Sequence, residues 1–166
     1  MADNLTPVQR RKNMQAIRSV NTKIETAVSK DLWGRGYRFR KNVKDLMGKP
    51  DIAIKKFKAV IFLDSCFWHG CELHCIYPKS NTAYWYPKIE RNILRDNQVN
   101  EYYFSRGWCV LRIWEHDVKI DRLLVVDKIA RFIDEAKYIS ERKNKRIVNR
   151  LGYGFDCGRR DPIING

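Results

Sequence analysis

Nowhere in this chain do about 18 apolar residues run together, so no helix long enough to cross a bilayer is expected. The opening residues Met1-Ala2-Asp3-Asn4 lack the basic flank and apolar stretch of a secretory signal, and a cytoplasmic location is the expectation. No glycine-rich phosphate loop of the Walker or dinucleotide type occurs, which argues against a nucleotide-binding fold. Internal repeats and interdomain linkers are missing too. Acidic residues are few beside basic ones, 19 against 33, and there are only three histidines. Cysteines number five, an odd count, and Cys66, Cys71 and Cys75 crowd into one short stretch, which in a cytosolic chain points to metal rather than to disulfides.

What is present is a chain of 166 residues, enough for one domain that buries roughly 70% of the surface of its unfolded form. The net charge of +14 is unevenly placed. Residues 1–50 hold 12 Lys and Arg against 4 Asp and Glu, and residues 137–160 hold 8 against 2, whereas 51–136 are nearly balanced at 13 against 12. Basic ends around a neutral middle suit a polyanion, whose condensed counterions are released on binding. Trp33, Tyr37 and Phe39 interleave with the basic residues, which favours nucleic acid over a charge that serves solubility alone.

Thr6-Pro7 reads as a helix N-cap, with a short helix from Pro7 to about Arg18. Thr22-x-x-Glu25 has capping-box spacing, and Ile24, Ala27, Val28 and Leu32 follow at helical intervals until Gly34 and Gly36. Strands are predicted at Tyr37–Val43, Asp51–Ile54 and Lys58–Asp64, the last apolar on both faces and therefore central. Ser65–Pro87 has no period. A helix over Lys88–Arg106, a buried strand over Trp108–Trp114 and a helix over about Ile120–Ile139 follow, and the tail from Arg142 is read as irregular. This order gives a single-domain α/β fold with a mixed central sheet flanked by helices.

Three constellations carry chemistry. Asp51 opens one strand and Asp64 ends the next, so a hairpin turning near Lys56-Phe57 brings both carboxylates to one end of the sheet. Together with a strand carbonyl such as that of Leu63, they make an oxygen-rich site suited to Mg²⁺. Pro50-Asp51 is also an ordinary turn dipeptide. The second constellation is Cys66, Cys71 and Cys75 with His116 after the last strand, a soft ligand set for tetrahedral Zn²⁺ in which His74 competes with Cys75 or His116 for a place. The third is aromatic: Phe67 and Trp68 inside the cysteine loop and Tyr84-Trp85-Tyr86 before a proline, suited to wedging between base steps or to covering the sheet edge. His69 lies between the cysteines and the carboxylates, where an imidazole suits proton transfer, although it too is a possible zinc ligand. Glu25 is already explained by its capping box. Cys109 reads as core and Cys157 as a tail thiol.

Lys12-Asn13-Met14 with Ala16-Ile17-Arg18, Thr22-x-x-Glu25, Gly48-Lys49-Pro50-Asp51, Cys66-Phe67-Trp68-His69, Tyr84-Trp85, Lys88-Ile89, Asn92, Arg95-Asp96 and Gly107-Trp108-x-Val110-Leu111 through Trp114-Glu115 follow one another over residues 10–135. In this order they resemble the very short patch repair endonucleases, mismatch nickases that accompany bacterial cytosine-5 methyltransferases. The resemblance implies a variant of the restriction-endonuclease-like PD-(D/E)xK fold with a structural zinc site. It also implies an enzyme that nicks double-stranded DNA beside the T of a T:G mismatch left by deamination of 5-methylcytosine. It further implies that Asp51 ligates Mg²⁺ with the Leu63 carbonyl, that His69 handles protons, and that Glu25 assists at the metal, with Asp64 beside them. Phe67, Trp68 and Trp85 would intercalate, Met14 would reach the opposite groove, and Cys66, Cys71, Cys75 and His116 would hold zinc. Residues 1–140 form the endonuclease domain in this reading, with 141–166 a basic tail; the protein is expected to be a monomer associated with the nucleoid and linked to mismatch-repair proteins. Two departures stand out. The restriction fold places a lysine two residues after its second acidic position, where this chain has Cys66, so His69 becomes the leading proton carrier. Some family members also end the late strand in Trp-Glu-Cys, where this chain has Trp114-Glu115-His116.

Overall fold

A computed structural model describes residues 6, 8–9, 12, 22–79 and 81–144. Val8, Gln9 and Lys12 are helical, and Thr6 and Gln9 cap one another, with Thr6 N–H donating to Gln9 Oε1 at 2.8 Å and Gln9 N–H to Thr6 Oγ1 at 3.3 Å. Met14, most of the expected first helix and the basic tail from residue 145 lie outside the described residues.

Helix α1 spans Lys23–Gly34 and begins with the reciprocal capping box expected at Thr22 and Glu25. Its inner face carries Glu25, Val28, Ser29 and Leu32, all buried. Strand β1 is only Arg40–Lys41, shorter than the expected Tyr37–Val43, because both of its residues are exposed and bury nothing. It edges a four-stranded sheet of order β1-β2-β3-β4. Strand β2, Ile52–Ile54, and strand β3, Ala59–Asp64, form an antiparallel hairpin through a 3-10 turn at Lys55–Phe57. Strand β4, Cys109–Trp114, runs parallel to β3 in a register that sets Phe62 opposite Arg112 and Asp64 opposite Trp114.

Helix α2 spans Thr82–Phe104 and starts six residues before the expected Lys88. Pro87 is therefore not a boundary but sits in the second turn, where it forfeits one i→i−4 bond. The rings it follows offset that loss by packing: Tyr86 stacks on Tyr77 at 4.4 Å and Trp85 meets Phe67 at 5.4 Å. Helix α3, Glu115–Ile120, leaves β4 directly, and α4 runs Arg122–Asn144 rather than from Ile120 to Ile139. Asp121 sets that start, its Oδ1 accepting the Leu124 N–H at 2.9 Å.

The sheet is covered on both faces. Val28 and Leu32 of α1 and Val126, Ile129 and Ile133 of α4 meet Ile52, Ile61 and Ile113 on one side. On the other, Val99 and Tyr103 of α2 meet Val60 and Phe62. Tyr103 donates to the Met47 carbonyl at 2.7 Å, and burial pushes its phenol up to about 12. No helix among the described residues is long and apolar enough to cross a membrane.

Candidate active site and metal centre

The β2–β3 hairpin sets Asp51 and Asp64 at the same end of the sheet. The Leu63 N–H donates to Asp51 Oδ2 at 2.7 Å, so the residue expected to lend a carbonyl to the metal also holds the carboxylate in place. Burial raises the Asp51 carboxyl to about 6; the Leu63 N–H and His69 work against that rise, and the negative charges of Glu25 and Asp64 add to it. Glu25 reaches this point from α1 with only 5% of its surface exposed, so the capping glutamate and the inner-face carboxylate are one residue. Three acids thus face one another in a poorly solvated corner, an arrangement that favours a cation.

His69 occupies the loop that leaves β3. Its Nδ1 lies 2.6 Å from Asp96 Oδ2 and 3.6 Å from Asp64 Oδ1. An ionised carboxylate only accepts, so Nδ1 carries the hydrogen and Nε2 is the nitrogen left for proton exchange. Burial alone would raise the Asp96 carboxyl, but the His69 hydrogen bond and the Arg112 charge outweigh it and hold Asp96 below the usual carboxylate range. Arg112 joins the group from β4, donating to Asp64 Oδ2 at 2.7 Å and to Asp96 Oδ1 at 3.3 Å.

The loop is seated on α2 by two contacts. Asn92 Nδ2 donates to the Trp68 carbonyl at 2.9 Å. Gly70 has φ +65°, and a Cβ there would meet Ile93 Cδ1 at 2.5 Å, so position and backbone both call for glycine. Above this seat Phe67, Trp68 and Trp85 form one aromatic cluster, with centroids 5.0 Å apart for Phe67–Trp68 and 5.9 Å for Trp68–Trp85.

A second group of ligand atoms, from Cys66, Cys71, His74 and His116, lies within a span of 4.8 Å. Cys66 Sγ is 3.3 Å from His116 Nδ1, and Cys71 Sγ is 3.7 Å from both His74 Nδ1 and His116 Nδ1. A tetrahedral zinc with bonds of about 2.0–2.3 Å requires edges of about 3.3–3.8 Å; these three distances fall in that range, within a group that spans up to 4.8 Å. His116 Nε2 lies 3.2 Å from Asp117 Oδ1, a partner that turns Nδ1 towards the cysteines. Cys75, expected among the ligands, stands outside this group: its thiol faces the Phe67 carbonyl at 3.6 Å. The turn that bonds Cys75 N–H to Cys71 O brings His74 round instead, and its longer side chain reaches the centre from an exposed position. Burial, with Cys71 beside it, pushes the Cys66 thiol up, a cost that a cation at the centre would remove.

Residues 2–75 match the family described as DNA mismatch endonuclease Vsr. The chain is 40% identical over 141 residues to the type II nicking enzyme V.NmeDIP of Neisseria meningitidis serogroup C, covering 84% of this chain and 95% of that one. It is 44% identical over 119 residues to the type II nicking enzyme V.HpaIIP of Haemophilus parainfluenzae, covering 70% and 84%. With the DNA mismatch endonuclease Vsr of Escherichia coli K12 it shares 37% identity over 118 residues, 69% of this chain and 74% of the relative. The chain belongs to the Vsr family of DNA endonucleases.

In this Vsr-family chain the structure brings together Glu25, Asp51, Asp64 and His69, and gathers Phe67, Trp68 and Trp85 close to them. It adds residues to which sequence reasoning gave no role. Asp96 is one; its signal in the sequence is an acid on the inner stripe Ile89, Asn92, Asp96, Val99, Tyr103 of α2. Arg112 is the other, since one arginine inside the apolar run Cys109–Trp114 is a charge with nowhere to go but a partner.

Proposed function

We propose that this chain is a Mg²⁺-dependent endonuclease that nicks one DNA strand next to the T of a T:G mismatch arising from 5-methylcytosine deamination. One observation carries the reading: the buried, cation-poor Asp51 carboxylate and the His69–Asp96 pair converge on one sheet end, beneath an aromatic cluster. The donor set there is all oxygen, which suits Mg²⁺ and not a thiolate-seeking metal. Asp51 and the Leu63 carbonyl would hold the ion, with Glu25 supporting. Once bound, Mg²⁺ supplies polarisation of the phosphoryl oxygens and a lower pKa for water at the site.

The chain's own residues do the rest. As a water oxygen bonds to phosphorus and the ester P–O bond breaks, His69 Nε2 exchanges a proton with the attacking water or the leaving oxygen. Asp96 holds the imidazole in the tautomer that leaves Nε2 facing that reaction. Phe67, Trp68 and Trp85 enter the base stack at the weakly stacked mismatch, with Met14 in the opposite groove. Cys66, Cys71, His74 and His116 would hold a structural Zn²⁺, the closed four-ligand shell leaving no place for substrate. The sheet and helices support a restriction-endonuclease-like architecture, and the family's tie to cytosine-5 methylation supports a methyltransferase and mismatch-repair proteins as functional partners.

The test is a strand-cleavage assay with zinc-loaded protein and Mg²⁺ on a T:G duplex and its matched counterpart. The expected result is one nick in the thymine strand of the mismatched duplex. Equal double-strand cutting of the matched duplex would make this a restriction-type enzyme instead.

A further inference from the structure

We propose that Arg112 is the positioning residue of this site: it ties Asp64 and Asp96 to the task of orienting His69, and so withholds Asp64 from the catalytic cation. The proposal deepens the nickase reading and rests on it for the role of His69.

The geometry is that of a fork closed on three oxygens. Arg112 Nε donates to Asn100 Oδ1 at 3.0 Å, Nη1 to Asp64 Oδ2 at 2.7 Å and Nη2 to Asp96 Oδ1 at 3.3 Å. Its guanidinium carbon stands 4.5 Å over the Phe62 ring, which fixes the plane from below. All partners project from the α2-facing side of the sheet or from α2 itself, where the strand register places Phe62 and Arg112 side by side. Both carboxylates then present their other oxygen to the same imidazole nitrogen: Asp96 Oδ2 at 2.6 Å and Asp64 Oδ1 at 3.6 Å from His69 Nδ1. Arg112, two acids and the histidine form a closed ring.

Asp64 is consequently held on Oδ2 by Arg112, while its Oδ1 lies beside the His69 ring at 3.6 Å, too far for a hydrogen bond. Asp51 differs: among the described residues its carboxylate accepts one hydrogen bond, from the Leu63 N–H, and no arginine or lysine pairs with it. The two aspartates at one sheet end therefore have separate duties, Asp51 as metal ligand and Asp64 as part of the His69 mount. The position two residues after Asp64, where the restriction fold has its lysine, is the buried Cys66; the cation of this chain enters from the neighbouring strand. An arginine is required there because a bidentate planar fork spans two carboxylates and a lysine ammonium does not.

The experiment compares zinc-loaded Arg112→Met, Arg112→Lys, Asp64→Asn and Asp51→Asn in single-turnover nicking, duplex affinity and Mn²⁺ binding followed by electron paramagnetic resonance. Arg112→Met is expected to lower the nicking rate by about 100-fold or more while the duplex Kd stays within about 3-fold, and Arg112→Lys to recover part of the rate. Asp64→Asn should keep Mn²⁺ affinity within about 2-fold of the parent, whereas Asp51→Asn should lose about 10-fold or more. Should Arg112→Met not fold, Arg112→Met/Asp64→Asn, which removes the stranded charge, takes its place with the same expectations. The proposal is overturned if Asp64→Asn weakens Mn²⁺ as much as Asp51→Asn does, or if replacing Arg112 leaves the single-turnover rate unchanged. A parent that binds Mn²⁺ through Asp51 but nicks nothing would sink the nickase reading while the Mn²⁺ comparison still decides the assignment of Asp64.

Discussion

Asp51 carries a pH signature that follows from its surroundings. Burial, with Glu25 and Asp64 nearby, raises its carboxyl to about 6 from 3.8. Between those values the folded protein binds more protons than the unfolded chain, so the stability of the metal-free site falls as pH rises, by at most about 3 kcal/mol. A divalent cation reverses that loss only where Asp51 is ionised. Mg²⁺ should therefore raise Tm little at pH 5 and clearly more at pH 7.5, as read by thermal melts of zinc-loaded protein, and Asp51→Asn should remove the difference. An equal Mg²⁺ shift at both pH values would place the ion elsewhere. Gly70 makes a second prediction at this scale. Its φ of +65° and the 2.5 Å approach of Ile93 Cδ1 mean that Gly70→Ala must strain the loop or displace the isoleucine. A cost of about 1–3 kcal/mol follows, or roughly 2–10 °C in Tm, and the nicking rate should fall with it because His69 is the preceding residue.

Elements differ in how much of this was legible beforehand. The hairpin was, because the apolar run Ala59–Leu63 has to be a central strand, and a strand of that length fixes where Asp51 and Asp64 end up. The capping box at Thr22 was also readable, being a local pattern with a local cause. Asp96 and Arg112 were not read as site residues, since their meaning lies in α2 crossing β4, a packing that no short window of sequence displays. The start of α2 precedes the expected boundary because Pro87 stops helices on average, while here stacked rings outweigh one lost hydrogen bond. Spacing is also blind to which of His74 and Cys75 turns towards Cys66, Cys71 and His116, and the fold brings His74 there. That choice is checkable by metal analysis: His74→Ala should retain well under one equivalent of zinc, while Cys75→Ser should keep about one. Chelation of the parent should expose Trp68 and Trp85, read as a red shift in emission, while the helices of the two cores, which exclude this loop, persist in far-UV circular dichroism. Full zinc retention by His74→Ala would return Cys75 to the ligand set.

At the scale of the whole molecule, charge and chemistry are kept apart. The proposed active-site corner is acidic, with Glu25, Asp51, Asp64 and Asp96 set against Arg112 and His69, and by itself repels a phosphodiester. The attraction has to come from the ends of the chain, which hold nearly all of the +14, while residues 51–136 stay close to neutral. Affinity and discrimination should then separate in experiment. Phosphate contacts are lost with salt in proportion to their number and carry no sequence information, whereas wedging aromatics sense how readily a base pair opens. Replacing Arg10 or Arg11, both outside the described residues, should weaken matched and T:G duplexes alike and reduce the slope of log Kd against log salt by about 1 per residue. Phe67→Ala or Trp68→Ala should leave that slope unchanged and erode the preference for T:G over matched DNA. If the arginine variants lost the preference, or the aromatic variants flattened the slope, mismatch recognition and electrostatic attraction would share one surface, and the neutrality of the middle segment would have no functional reading.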